Sequence, residues 1–196
     1  GGIILANPNA PTGLYESLDV IEKILKENPG VVVIVDEAYI DFAGKPSAVS
    51  LVDRYENLLV TQTFSKSRSM AGVRIGFAIG NERLIRWLLD VKYSFNSYTL
   101  SALAILCGTK AVEDETYFQK TTSQIIATRG RTKRRMAALG FEFPDSSANF
   151  LFARHPKYDG EVLFQALRQS QIYVRHWNQS KIREDLRITI GTEGEM

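Results

Sequence analysis

Leu58-Leu59-Val60-Thr61-Gln62-Thr63-Phe64-Ser65-Lys66-Ser67-Arg68-Ser69-Met70-Ala71-Gly72-Val73-Arg74 is the stretch on which the reading of this 196-residue chain turns. It opens as a short apolar strand, then changes to hydroxyls, one lysine and, eight positions later, an arginine. One unit upstream, residues 31–35 form an uninterrupted apolar run that closes on Asp36-Glu37-Ala38-Tyr39. Runs of this kind belong to strands buried on both faces. Further out, residues 3–6 read as a strand that stops at Asn7-Pro8-Asn9-Ala10-Pro11-Thr12-Gly13. Leu14, Leu18, Ile21 and Leu25 then recur at helical spacing until Asn28-Pro29-Gly30 ends the helix. Residues 73–79, ending at Gly80, read as one more strand. Strands alternating with helices predict an α/β chain with a mostly parallel sheet.

Beyond residue 80 helical periodicity takes over. Asn81 is placed to cap a helix carrying Leu84, Ile85, Leu88 and Leu89. A second helix is expected over 97–112 and a long one over 113–139, before Gly140. The last part mixes short elements: strands at 149–153, 172–174 and 186–190 and a helix at 159–169. The expected division is therefore 1–112 as part of a large α/β domain, 113–140 as a connecting helix, and 141–196 as a small α+β domain.

With 44% hydrophobic residues, 23% charged and a formal net charge of +2, the composition is that of a globular chain and gives no reason to expect a nucleic-acid or membrane partner. The one basic cluster, Arg129, Arg131, Lys133, Arg134 and Arg135, falls late in the long helix and is expected to be a solvated face. Cys107 is the only cysteine, which excludes an internal disulfide and points to a reducing, cytoplasmic location. No apolar run is long enough to cross a bilayer, and the N-terminus has no secretory pattern. The chain starts directly on a strand and stops just after another, so it is expected to be a fragment without its first half.

Ligands of open α/β sheets bind outside the carboxyl ends of the strands. All three motif segments begin where an apolar strand stops, so one crevice can receive them together. A lysine at a strand exit, flanked by hydroxyls and followed by an arginine, suits a phosphorylated aldehyde: the amine forms an imine while the hydroxyls, backbone amides and arginine hold the phosphate. Singly, each residue has an ordinary alternative. Asp36 can be a helix cap, Tyr39 a core tyrosine, Thr63 and Ser65 a hydroxylated turn, and Lys66, Arg175 and Arg187 surface charges. His155 and His176 lack the companions of a metal site, so no metal is expected.

Taken in order, Asn-Pro…Pro-Thr-Gly, Asp-x-x-Tyr, Ser-Lys with Arg74, and Leu186-Arg187-Ile188 resemble the fold type I pyridoxal-phosphate aminotransferases over the whole chain, and most closely their histidinol-phosphate branch. The resemblance implies transfer of an amino group between L-histidinol phosphate and 2-oxoglutarate, in histidine biosynthesis, by a homodimer. It gives Lys66 the imine and the later proton transfer, Asp36 the pyridine nitrogen, Tyr39 the phenolic oxygen, and Thr63, Ser65 and Arg74 the phosphate. Ala10 stands where relatives carry an asparagine on that phenolic oxygen. Asn9 is the expected substitute, with Asn7 or Tyr39 alone as alternatives. Arg175 and Arg187 are implied to bind the substrate's anion, and a pair suits a dianionic phosphate better than one carboxylate. The isolated piece is expected to be inactive, because the family's first half supplies further cofactor contacts. A threonine-phosphate decarboxylase or aromatic aminotransferase relative, and a non-catalytic binding or dimerisation module, stay open as alternatives.

Overall fold

Period-two alternation explains the first sheet. The computed structural model describes all 196 residues, and in it β1 (Gly2–Ala6), β2 (Val32–Asp36) and β3 (Leu58–Thr63) run parallel, with β4 (Gly76–Gly80) antiparallel at the edge beside β3. Val33, Val35, Leu58 and Val60 point to one face, where they pack with Ile21 and Leu25 of α1 (Leu18–Glu27) and with Ala48 and Leu51 of a 3-10 turn. All eight are nearly or fully buried, and each Val, Leu or Ile among them contributes about 1.5–3 kcal/mol. The alternate residues Ile4, Ala6, Ile34 and Asp36 lie on the opposite face, and Ile4 stays 73% exposed. The chain is α/β, as its pattern predicts.

Several elements differ from expectation at their ends. Leu14 lies outside α1, because the buried Asn7 amide donates to the Glu16 carbonyl at 3.0 Å and accepts its N–H at 2.8 Å. That bracket holds the chain non-helical up to Ser17. Residues 71–73 form a 3-10 turn and Arg74 is left-handed (φ 62°), so β4 starts only at Gly76.

Asn81 does cap α2 (Glu82–Phe95), accepting the Arg83 N–H at 2.9 Å. The next helix, α3 (Ala102–Glu113), starts later than its periodicity implied, because the Ser101 hydroxyl caps it on the Ala104 N–H. Asp114 then caps the long helix α4 (Glu115–Ala138). One stripe of α4 is buried and polar: Thr122, Thr128, Arg129 and Thr132 lead to Met136. The Thr122 hydroxyl satisfies itself on the Phe118 carbonyl at 2.8 Å, which is how a threonine tolerates burial on a helix. Arg129 corrects the expectation of a solvated basic face. It is only 9% exposed and turns inward.

The second sheet is antiparallel. β5 (Phe150–Ala153), β6 (Arg175–His176) and β7 (Leu186–Thr189) pair in the order β5-β7-β6, with α5 (Gly160–Gln169) alongside. Leu151 and Ala153 pack with Met136 of α4 and Ile190, which leaves Phe150 and Phe152 on the other face. The strand expected at 172–174 starts three residues later, at Arg175. Gln171 is left-handed and the Ile172 N–H is spent on the Leu167 carbonyl, closing α5 rather than joining the sheet. No helix is long and apolar enough to cross a membrane.

Candidate functional site

The carboxyl ends of β1, β2 and β3 bring the three motif segments side by side. Ala6, Asp36, Thr61 and Ala78 are register partners across all four strands, so a carboxylate stands in a row of small side chains on the sheet face opposite the apolar core. Asp36 is half-buried, and its Oδ1 accepts the Ala38 N–H at 3.0 Å, which turns the chain toward Tyr39.

The loop after β3 is closed by its own backbone. The Phe64 N–H donates to the Ile75 carbonyl at 3.1 Å, and the Met70 N–H to the Phe64 carbonyl at 3.0 Å. The Thr63 hydroxyl donates to Ile75 and accepts the Ser65 N–H, and Ser67, buried, donates to Asp41. Ser65 is half-buried between them. Lys66 projects from this frame as an exposed side chain, and its Nζ lies 5.5 Å from the centre of the Tyr39 ring. Arg74 is exposed, with Nη1 donating to the Ala71 carbonyl at 2.8 Å.

In the first loop the two asparagines part company. Asn7 is consumed by Glu16, as described above, whereas Asn9 is half-buried and donates only to the Thr12 hydroxyl at 2.7 Å. Gly13 has φ +75° and lies against Ser146, so a side chain there would collide with the irregular segment leading into β5. The Ser147 N–H donates to the Gly13 carbonyl at 2.7 Å. This loop therefore rests on the second half of the chain.

Tyr39 makes the next link. Its ring meets Phe150 edge-on at 5.1 Å, and the Arg187 guanidinium lies 5.2 Å from the centre of Phe150. Arg187 pairs directly with Phe152 on one side and with Arg175 on the other, so both arginines share the face that carries Phe150. Neither takes part in any of the chain's ion pairs. Arg187 Nε is buried without any acceptor, an uncommon state for a charged donor. Lys66, Tyr39, Phe150, Arg187 and Arg175 thus form one continuous line across the two sheets.

Two residues escaped the sequence reading. Glu37 is 1% exposed and points away from Asp36, into the core side of the sheet. It accepts from the Ser47 hydroxyl at 2.6 Å, the Ala48 N–H at 2.7 Å and the Gln62 amide at 2.9 Å. Burial pushes its carboxyl above the ordinary range, and the three hydrogen bonds only partly offset this. Its position after Val33 and Val35 at spacing two was the available signal. Arg129 Nη1 donates to the carbonyls of Phe42 (3.0 Å) and Ala148 (2.6 Å), bridging the turn after Tyr39 to the strand that begins at Phe150. Nothing in a basic run on a helix marks which arginine turns inward.

Comparison with known proteins gives the family and the fold. The family model for aminotransferase class I and II matches residues 1–196. The histidinol-phosphate aminotransferase of Lactococcus lactis subsp. cremoris (strain SK11) is 53% identical over 196 residues, covering all of this chain and 55% of that protein. The chain thus spans about half the length of the curated relatives it matches. The crystal structure of the histidinol-phosphate aminotransferase from Clostridium acetobutylicum superposes with a TM-score of 0.90 at 26% identity, over 99% of this chain and 60% of that one. The corresponding Sinorhizobium meliloti enzyme, solved in complex with pyridoxal-5'-phosphate, has the same fold (TM-score 0.86, 23% identity, 98% and 53% coverage).

Proposed function

The chain belongs to the aminotransferase class I and II family, and on that premise we propose that it carries the lysine-bearing and anion-binding part of a histidinol-phosphate aminotransferase. The reaction moves an amino group between L-histidinol phosphate and 2-oxoglutarate, in a cytoplasmic homodimer. The observation that carries the reading is Arg187. Its buried, acceptorless Nε sits beside a second unpaired guanidinium and in line with Lys66 through Phe150 and Tyr39.

Three features of the chain fit pyridoxal 5'-phosphate: an acid in a row of small side chains, a lysine amine over an aromatic ring, and a hydroxyl-lined strand exit. When bound, the cofactor supplies an electron sink for the substrate carbon and a carbonyl that carries nitrogen between substrates. Asp36 would hold the proton of the cofactor's ring nitrogen in place. Tyr39 donates its hydroxyl to the phenolic oxygen, with Asn9 as the second contact in place of the residue at Ala10. Thr63, Ser65 and Arg74 hold the phosphate, which requires Arg74 to exchange the Ala71 carbonyl for a charged acceptor. Lys66 Nζ would be the amine that holds the cofactor, and it is the group placed to take the proton from the substrate carbon bearing nitrogen. Arg175 and Arg187 orient the substrate through its phosphate. In this reading residues 1–112 belong to the cofactor-binding domain, 113–140 connect, and 141–196 form the small domain that brings the arginines.

The test uses the full-length protein. Borohydride reduction with cofactor present, followed by peptide mapping, is expected to label Lys66. Nitrogen transfer from histidinol phosphate to 2-oxoglutarate is expected without carbon dioxide release. A label on another lysine, or decarboxylation of a phosphorylated amino acid, overturns the proposal.

A further inference from the structure

Arg175 and Arg187 are direct cross-strand partners, a placement in which two like charges repel. Proteins commonly relieve such a pair with a carboxylate, but here none pairs with either. The group beside both is the indole of Trp177. Its ring centre is 5.4 Å from the Arg175 guanidinium carbon and 5.6 Å from that of Arg187, inside the range at which an aromatic face attracts a cation. The indole is itself anchored. It meets the buried ring of Phe152 at 6.1 Å and 68°, and the residue before it, His176, stacks on Phe164 of α5 at 5.4 Å and lies 3.2 Å from a Glu161 carboxylate oxygen.

We propose that Trp177 is the positioning residue that makes one anion site of the two arginines and thereby sets specificity for phosphate-bearing substrates. This rests on the reading of that pair as the substrate's anion site. An aromatic face attracts a guanidinium without consuming its N–H donors, whereas a carboxylate would take two of them. The indole therefore holds two cations near each other with their donor forks free. A phosphate monoester carries about −1.5 to −2 charges at neutral pH and needs both forks. A carboxylate or an uncharged hydroxymethyl group does not.

The experiment compares Trp177→Leu and Trp177→Phe in the full-length holoenzyme. Three quantities are read: KM for histidinol phosphate, KM for unphosphorylated histidinol, and the inhibition constant of inorganic phosphate. For Trp177→Leu the expected result is a rise of about tenfold in the first and third together, with kcat, the visible cofactor absorbance and the KM for histidinol unchanged. Trp177→Phe keeps an aromatic face and is expected to recover most of the loss, with a rise of about two- to threefold. An unchanged phosphate inhibition constant in Trp177→Leu overturns the proposal, and so does an equal loss on both donors. Should that variant fail to fold, no rise in Trp177→Phe overturns it equally. If the wild-type enzyme neither prefers the phosphorylated donor nor is inhibited by phosphate, the assignment of the arginine pair itself fails, and the role of Trp177 falls with it.

Discussion

Around Lys66 the polar groups are tied down by the chain's own backbone, whereas across the Tyr39–Phe150 contact Arg175 and Arg187 are held by aromatic faces alone. Both arrangements keep charge in place, but they leave different things free. A hydrogen-bonded loop presents one projecting group, here an amine, at a fixed position. Guanidinium groups resting on rings keep every donor for a ligand, at the cost of leaving Arg187 Nε buried and unmatched. The first arrangement is rigid without its ligand; the second is incomplete without one.

Breaking the second region gives the largest effect. Arg187→Ala removes the guanidinium nearest the aromatic line while leaving Lys66 untouched. The specificity constant for a phosphate-bearing substrate is expected to fall by on the order of 2–5 kcal/mol, the usual cost of removing one partner of a desolvated charged contact. Cofactor absorbance is expected to persist. Steady-state kinetics beside a visible spectrum decide it, and an unaltered specificity constant removes Arg187 from the site. Arg175→Ala shares the direction and is expected to cost less, because Arg175 is exposed.

The link between the two regions is the next target. Arg129 donates from one nitrogen to the Phe42 and Ala148 carbonyls, so Arg129→Met leaves two buried acceptors without a donor while keeping the length of the side chain. Each such loss costs roughly 1–3 kcal/mol. Removing a charge that burial already disfavours offsets part of it. A lower urea midpoint is expected, with the slope of the transition unchanged. A midpoint equal to wild type means that the Tyr39–Phe150 contact aligns the two sheets unaided.

The same contrast explains what could be read from the sequence. The Lys66 region is local: Asp36, Tyr39, Thr63, Ser65 and Lys66 lie within two or three residues of a strand end, so an apolar run followed by polar residues already places them together. The arginine region is non-local. That Arg187 stands opposite Arg175 follows from β6–β7 register, and β6 itself begins three residues later than its apolar pattern implies. The Phe150–Tyr39 contact spans more than a hundred residues and leaves no periodic trace. Helical spacing alone extends to Leu14 and to residues 97–100, and side-chain hydrogen bonds at Asn7 and Ser101 override that spacing.

The smallest effect sharpens the comparison within the rigid region. Glu37 is held by three hydrogen bonds, yet burial keeps its carboxyl above the ordinary value of 4.5. Between that value and the raised one, the folded state holds a proton that the unfolded state has released. Stability from this group is therefore fully present below pH 4.5 and is lost as pH rises through the raised value. Glu37→Gln has no proton to lose, and its amide can still accept from the Ala48 N–H while Gln62 turns its own amide over. The unfolding free energy of wild type minus that of the variant is thus expected to fall from acid toward neutral pH. Parallel urea titrations across that range measure it. A flat difference means that the three hydrogen bonds balance the burial, and a rising one means that they outweigh it; either result removes Glu37 as the one strained charge in an otherwise fully matched frame.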